Sequence, residues 1–142
     1  MHRKKLIITA VLLLALVLIL IVHPTYSNRV RMTNVEKVYF SSSIQGKVKV
    51  ITKEEDKEKI IRYLNSFIYI RVPFVADIKG WEYYIRVVGE SGNGGKEVRV
   101  SFVPFLINTS EGHYFIGGSS INRKLESLYN EMIYEEKRIG ED

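Results

Sequence analysis

The sequence predicts an α+β domain, a mainly antiparallel sheet with two helices packed on one face, carried behind an N-terminal transmembrane helix. Three observations support this. An unbroken apolar run, Leu6 to Val22, lies near the start of the chain. Several short segments then alternate apolar and polar residues at the strand period of two, and two longer ones repeat apolar residues at the helical period. Runs of strands, each followed by a helix, favour antiparallel pairing with the helices on one side over a βαβ weave.

The apolar run contains only Leu, Ile, Val and Ala apart from Thr9. The seventeen residues from Leu6 to Val22 extend roughly 25 Å as a helix, at the short end for a bilayer core. Its uniformly apolar surface excludes a core helix with a wet side. Arg3, Lys4 and Lys5 precede it, and a positive flank holds that end in the cytoplasm. The expected division is therefore a cytoplasmic basic tip (1–5), a signal-anchor helix (6–22), a polar tether (23–33) and an extracytoplasmic domain (34–142). His23-Pro24 is the expected end of the helix, because proline disfavours helical geometry in the residue before it. Thr25-Tyr26-Ser27 also offers small residues for cleavage near Ser27, which would instead release a secreted domain.

Charge narrows the function classes. The chain of 142 residues carries 21 Lys and Arg against 16 Asp and Glu, a net of +5. Without Arg3, Lys4 and Lys5 the balance is 18 to 16, and no basic stripe remains to mark a nucleic-acid surface. There is no cysteine, which excludes thiol catalysis, cysteine-ligated metal and lipidation on cysteine.

Beyond the tether, Val35–Phe40 and Lys47–Ile51 read as two strands joined through Ser41-Ser42-Ser43 and Gly46. Thr52-Lys53-Glu54-Glu55 has the form of a capping box. Ile60, Ile61, Leu64 and Phe67 follow at helical spacing, so a helix is expected at about 53–66. Ile68, Ile70, Val72 and Phe74 then alternate with Tyr69, Arg71 and Pro73. Trp81, Tyr83, Ile85 and Val87 alternate with Glu82, Tyr84 and Arg86, and Val98, Val100 and Phe102 with Glu97, Arg99 and Ser101. The last two runs flank the glycine-rich stretch 89–95 and read as a hairpin with one wet face. A kink at Pro104, a turn at Ser110-Glu111-Gly112 and a short strand around Tyr114–Ile116 come next. Ser120 then caps a helix with the stripe Ile121, Leu125, Leu128, Met132 and Ile133. The charged tail, 135–142, is expected to fray.

Chemistry-bearing constellations are sparse. His113 has Ser110 and Glu111 beside it, and with Asp77 or Glu82 would supply the base and carboxylates of an envelope hydrolase or transferase. A surface-turn histidine is the simpler reading. Gly117-Gly118-Ser119-Ser120 precedes a helix but lacks phosphate-loop spacing, and the stretch 92–95 lies in a hairpin. Glu54, Glu55, Asp56 and Glu58 are interleaved with Lys53, Lys57 and Lys59, as on a solvated helix face. Asn108-Thr109-Ser110 matches a glycosylation acceptor. No catalytic, cofactor-binding or metal-binding residue is assigned. Tyr69, Tyr84 and Arg86 fall on the expected wet faces, and exposed aromatics with arginine suit a partner surface. The expected function is thus a non-enzymatic binding or accessory module for a protein or an envelope glycan, joined to the membrane through residues 6–22. A structural subunit of a membrane complex is the remaining alternative.

The Arg3-Lys4-Lys5 start, the run from Lys47 to Asp56, the Ile60-Ile61-Arg62-Tyr63-Leu64-Asn65 helix and the Leu125-Glu126-Ser127-Leu128-Tyr129 helix together resemble small membrane-anchored or secreted proteins of unknown function from Gram-positive bacteria. That resemblance implies an extracytoplasmic domain and carries no site residues with it.

Overall fold

A computed structural model describes residues 2–32, 34–73, 80–90, 96–104, 106–116 and 120–140. In chain order these form α1 (His2–Ser27), β1 (Asn34–Ser42), β2 (Lys47–Ile51), α2 (Glu54–Asn65), β3 (Ile70–Arg71), β4 (Tyr83–Glu90), β5 (Lys96–Val103), β6 (Leu106–Thr109), β7 (Gly112–Phe115), α3 (Ile121–Glu131) and β8 (Glu136–Arg138). The strands make one antiparallel sheet in the order β3-β7-β6-β5-β4-β1-β2-β8. The fold is the expected α+β class.

One face of the sheet holds the core. Val38 and Phe40 of β1, Ile51 of β2, Tyr83, Ile85 and Val87 of β4, Val100 and Phe102 of β5, Ile107 of β6 and Tyr114 of β7 are all buried there. Ile60 and Leu64 of α2 and Leu125, Leu128 and Tyr129 of α3 join the same cluster. Both helices therefore pack on one face, as their single apolar stripes require. Aromatic rings meet edge to face across this seam, with Tyr129 of α3 5.2 Å from Phe40 and Phe67 6.0 Å from Phe102.

Two close backbone features shape the centre of the sheet. Gly46 closes the β1–β2 turn with φ of 65°, a conformation glycine adopts without strain. Gly89 lies opposite the irregularity between Val35 and Lys37, where an added Cβ would run into the Asn34 carbonyl.

Several local expectations are corrected. Helix α1 continues through Pro24 to Ser27. Inside a helix proline loses its own N–H and crowds the carbonyl four residues before it, but the Pro24 carbonyl still closes the last turn, accepting from the Asn28 N–H at 3.0 Å and the Ser27 hydroxyl at 3.1 Å. The polar segment after it is packed on the domain rather than strung out as a tether. Pro24 and Val30 are buried. Thr25 Oγ1 accepts from the Tyr69 N–H at 3.0 Å, Thr109 Oγ1 donates to Asn28 Oδ1 at 2.9 Å, and the Asn65 amide bonds both polar backbone groups of Val30.

The capping box does not form. Lys53, one residue later than expected, is the N-cap of α2 and makes no side-chain cap bond. Tyr134 caps instead: its hydroxyl accepts from the Lys53 N–H at 3.2 Å and donates to Asp56 Oδ2 at 2.7 Å. Ser120 takes the expected N-cap position of α3, but its hydroxyl caps nothing. Lys57 leaves the solvated face of α2: it is buried, bonds the Val35 carbonyl and pairs with Glu54 at 2.6 Å. The charged tail does not fray through 136–138 but adds β8 to β2. Ile133 falls past the end of α3 and is 91% exposed.

The Tyr129 ring is fully buried, and its hydroxyl has no hydrogen-bond partner among the described residues. Burial, helped by the charges of Glu136 and Tyr83, lifts its pKa from 10.0 to about 12. A folded-state value above the unfolded one means that the stabilisation is complete below pH 10 and is lost as pH rises towards about 12. Denaturant titration across the alkaline range should show stability falling through that window, with a shallower fall in Tyr129→Phe. Near neutrality the substitution should be neutral or slightly stabilising, since it removes a buried hydroxyl that makes no bond. A large loss there would mean that the hydroxyl has a partner.

Candidate functional site

The second face of the sheet has no helix over it among the described residues. Strand parity places Tyr39 and Ser41 of β1, Tyr84 and Arg86 of β4 and Ser101 of β5 on this side. The register sets Tyr39 opposite Arg86, and Ser41 and Ser101 on either side of Tyr84. Together with Val48, Trp81, Ile139 and Gly140 they line a trough of about 240 Å³. Each wall belongs to a different element. Ser43 in the β1–β2 turn donates its hydroxyl to the Trp81 carbonyl, and the Ser43 N–H bonds the Glu82 carbonyl at 2.9 Å, which holds the indole beside β4. The Ile139 N–H bonds the Gly46 carbonyl at 3.1 Å, which brings the residues after β8 over the other side.

The trough combines two aromatic contacts. Trp81 and Tyr84 lie 5.7 Å apart at 42°, and the Arg86 guanidinium sits 4.0 Å over the Tyr39 ring. Glu97 receives a 2.7 Å ion pair from Arg99 and lies 3.6 Å from Arg86. The Arg99 hydrogen bond is the main reason that the Glu97 carboxyl is held below its ordinary value. Burial is the main cause that raises the Tyr84 phenol, opposed by Arg99 and Arg86. The trough thus presents phenol rings, serine hydroxyls and a guanidinium already steered by Glu97 and Tyr39. These are groups that stack and hydrogen-bond.

Of the three residues expected on a partner surface, the structure brings together Tyr84 and Arg86. Tyr69 is a correction. It is fully buried, its hydroxyl donates to the Leu64 carbonyl at 3.1 Å, and desolvation drives its pKa up strongly. Ile68 and Ile70, expected inside, are 59% and 43% exposed. A one-residue error of parity exchanges the two faces of a strand, and β3 is too short, at Ile70–Arg71, for alternation to set that parity. Trp81 was expected on the core side with Tyr83. It precedes the start of β4 at Tyr83 and packs on Tyr84 instead. Tyr39 was open to discovery, since its neighbours Val38 and Phe40 are apolar and alternation sends it the other way.

Among the described residues, His113 and Glu82 are not brought together. His113 Nδ1 lies 2.5 Å from Asn108 Oδ1 on the open face, whereas the Glu82 carboxylate bonds Asn122 of α3. Strands β4 and β7 are separated by β5 and β6, about 14 Å across the sheet. Asp77, Gly92-Asn93-Gly94-Gly95 and Gly117-Gly118-Ser119 lie outside the described residues. Among the described residues no three His, Asp or Glu side chains converge as a metal site. One described helix, Lys4–Thr25, is long and apolar enough to cross a membrane. Comparison with protein-family models, curated protein sequences and solved structures finds no match to this chain.

The two tyrosines separate core from surface. Tyr69→Ala should cost about 3–5 kcal/mol of folding stability, as for other large buried rings. Tyr84→Ala should cost under about 1 kcal/mol, since it truncates a surface side chain. Chemical denaturation of both variants checks the assignment, and an equal loss in the two would place Tyr84 in a second core.

Proposed function

We propose that this chain is a membrane-anchored, extracytoplasmic binding module that recognises an envelope glycan on the open face of its sheet. The apolar α1 with its preceding Arg3, Lys4 and Lys5 supports an anchor whose N-terminus is cytoplasmic. The observation that carries the binding reading is the aromatic trough itself. Most large rings of the domain are buried on the other face, yet Trp81, Tyr84 and Tyr39 gather here beside Arg86, Ser41 and Ser101.

The position of the trough favours a glycan over an extended peptide. Peptides that add to a sheet do so at an edge, through main-chain hydrogen bonds. Here β1, β4 and β5 are interior strands paired on both sides, so only side chains are offered. Inclined rings, hydroxyls and an arginine suit the apolar faces and hydroxyl rims of sugar units. At about 240 Å³ the trough is smaller than most enclosed small-molecule sites. It suits one or two units of a longer chain lying across the sheet.

Trp81, the only tryptophan, is a built-in reporter. Titration of the full chain in detergent micelles with solubilised envelope polysaccharide should change its emission saturably. Tyr84→Ala and Arg86→Ala should each weaken that binding about tenfold, the effect of losing roughly 1.4 kcal/mol at an interface, with melting temperatures lowered by no more than about 5 °C. Saturable binding that survives both substitutions would contradict this surface. Absence of any emission change would contradict the glycan as ligand.

A further inference from the structure

The end of α1 and the outer edge of the sheet meet at one place. From Leu6 to Val22 the large apolar side chains described are all exposed, so the domain does not run back along the helix. Contact begins at Pro24, which is buried, only two residues past the apolar run and about 3 Å further along the axis. The Thr25 hydroxyl then bonds the Tyr69 N–H, next to the edge strand β3. An edge held that close to the end of a spanning helix lies within the headgroup layer, which is roughly 5–7 Å thick on each side.

That edge carries the composition such a layer selects. Ile68, Ile70 and Phe115 are 59%, 43% and 42% exposed, and Ile70 pairs directly with Phe115 across β3 and β7. Arg71, the next residue on the edge strand, is exposed on the other face of β3. Apolar side chains with an arginine at their margin match the boundary between acyl chains and anionic headgroups. In water the Ile70–Phe115 pair would be an exposed apolar patch on a sheet edge, which proteins usually cover or charge.

We infer that the β3–β7 edge is a membrane seat: Ile70 and Phe115 rest in the surface of an anionic bilayer, with Arg71 on its phosphates. The inference depends on the membrane reading of α1, and extends it from an anchor to a fixed orientation of the domain. The trough lies about 20 Å away along the sheet, clear of the lipid.

The test uses the full chain reconstituted in vesicles of phosphatidylglycerol and phosphatidylcholine in equal parts, some with acyl chains brominated near the headgroup. Native Trp81 reports the trough. In a Trp81→Phe background, Phe115→Trp or Ile70→Trp reports the edge, and circular dichroism checks that each variant is folded. The edge tryptophans should be quenched severalfold more than Trp81, and Arg71→Glu should reduce that quenching. Equal, weak quenching in a chain that floats with the vesicles would overturn the seat and leave the anchor standing. A chain that does not float would overturn both. Quenching that stays weak while the protein is dimeric in the vesicles would assign the patch to a second copy and overturn the lipid seat.

Discussion

One buried ammonium group ties the two faces of this domain together. Lys49 of β2 points into the core side, where its Nζ donates to the carbonyls of Tyr129 and Met132 at 2.8 Å each. It sits 4.2 Å over the Tyr129 ring and 3.6 Å from the Glu136 carboxylate. A buried charge is costly unless it is paired and hydrogen-bonded, and hydrogen bonds to charged groups contribute about 1.5–3 kcal/mol each. The lysine therefore specifies where α3 must end, because the last carbonyls of a helix have no partner of their own. It also specifies where the chain goes next. Glu136 begins β8, which pairs with β2, and the residues after β8 close one side of the trough. Core packing and the open-face site are thus coupled through a single side chain.

The bare face follows from how much chain there is to cover it. Eight strands make a sheet about 34 Å wide. Two helices about 10 Å across cover most of one side and leave none for the other. With α2 and α3 committed to the core side, the second face has to carry residues that tolerate water. Lys37, Arg86, Arg99 and Glu97 do so through charge, and Trp81, Tyr84 and Tyr39 through a polar end or a stacked neighbour. A surface built this way is suited to stacking and hydrogen bonding.

The strongest sequence signals were periodic ones. Tyr83, Ile85 and Val87 against Tyr84 and Arg86 gave the correct faces of β4 because that strand spans Tyr83–Glu90, long enough to alternate several times. The stripe Leu125, Leu128 and Met132 was equally clear. Signals failed where a distant residue outbid a local one. Thr52 and Glu55 have capping-box spacing, but the Tyr134 hydroxyl reaches Lys53 and Asp56 from the other end of the domain. The tail residues look like solvated charge, yet Glu136 is needed by Lys47 and Lys49. Tyr69 lies one residue before a two-residue strand, where parity carries no information and the Leu64 carbonyl and the neighbouring rings decide. The trough itself was half visible, since Tyr84 and Arg86 share one strand whereas Tyr39, Ser101 and Ile139 arrive only through pairing.

On the proposed reading, recognition belongs to the open face and stability to the helix-covered one. Site-specific photo-cross-linking in intact cells tests it most directly, with a diazirine side chain placed at position 84 in the trough or at position 126 on the exposed side of α3. Covalent adducts from position 84 and none from position 126 are the predicted result. Equal adducts from both positions, or adducts from position 126 alone, would contradict the account.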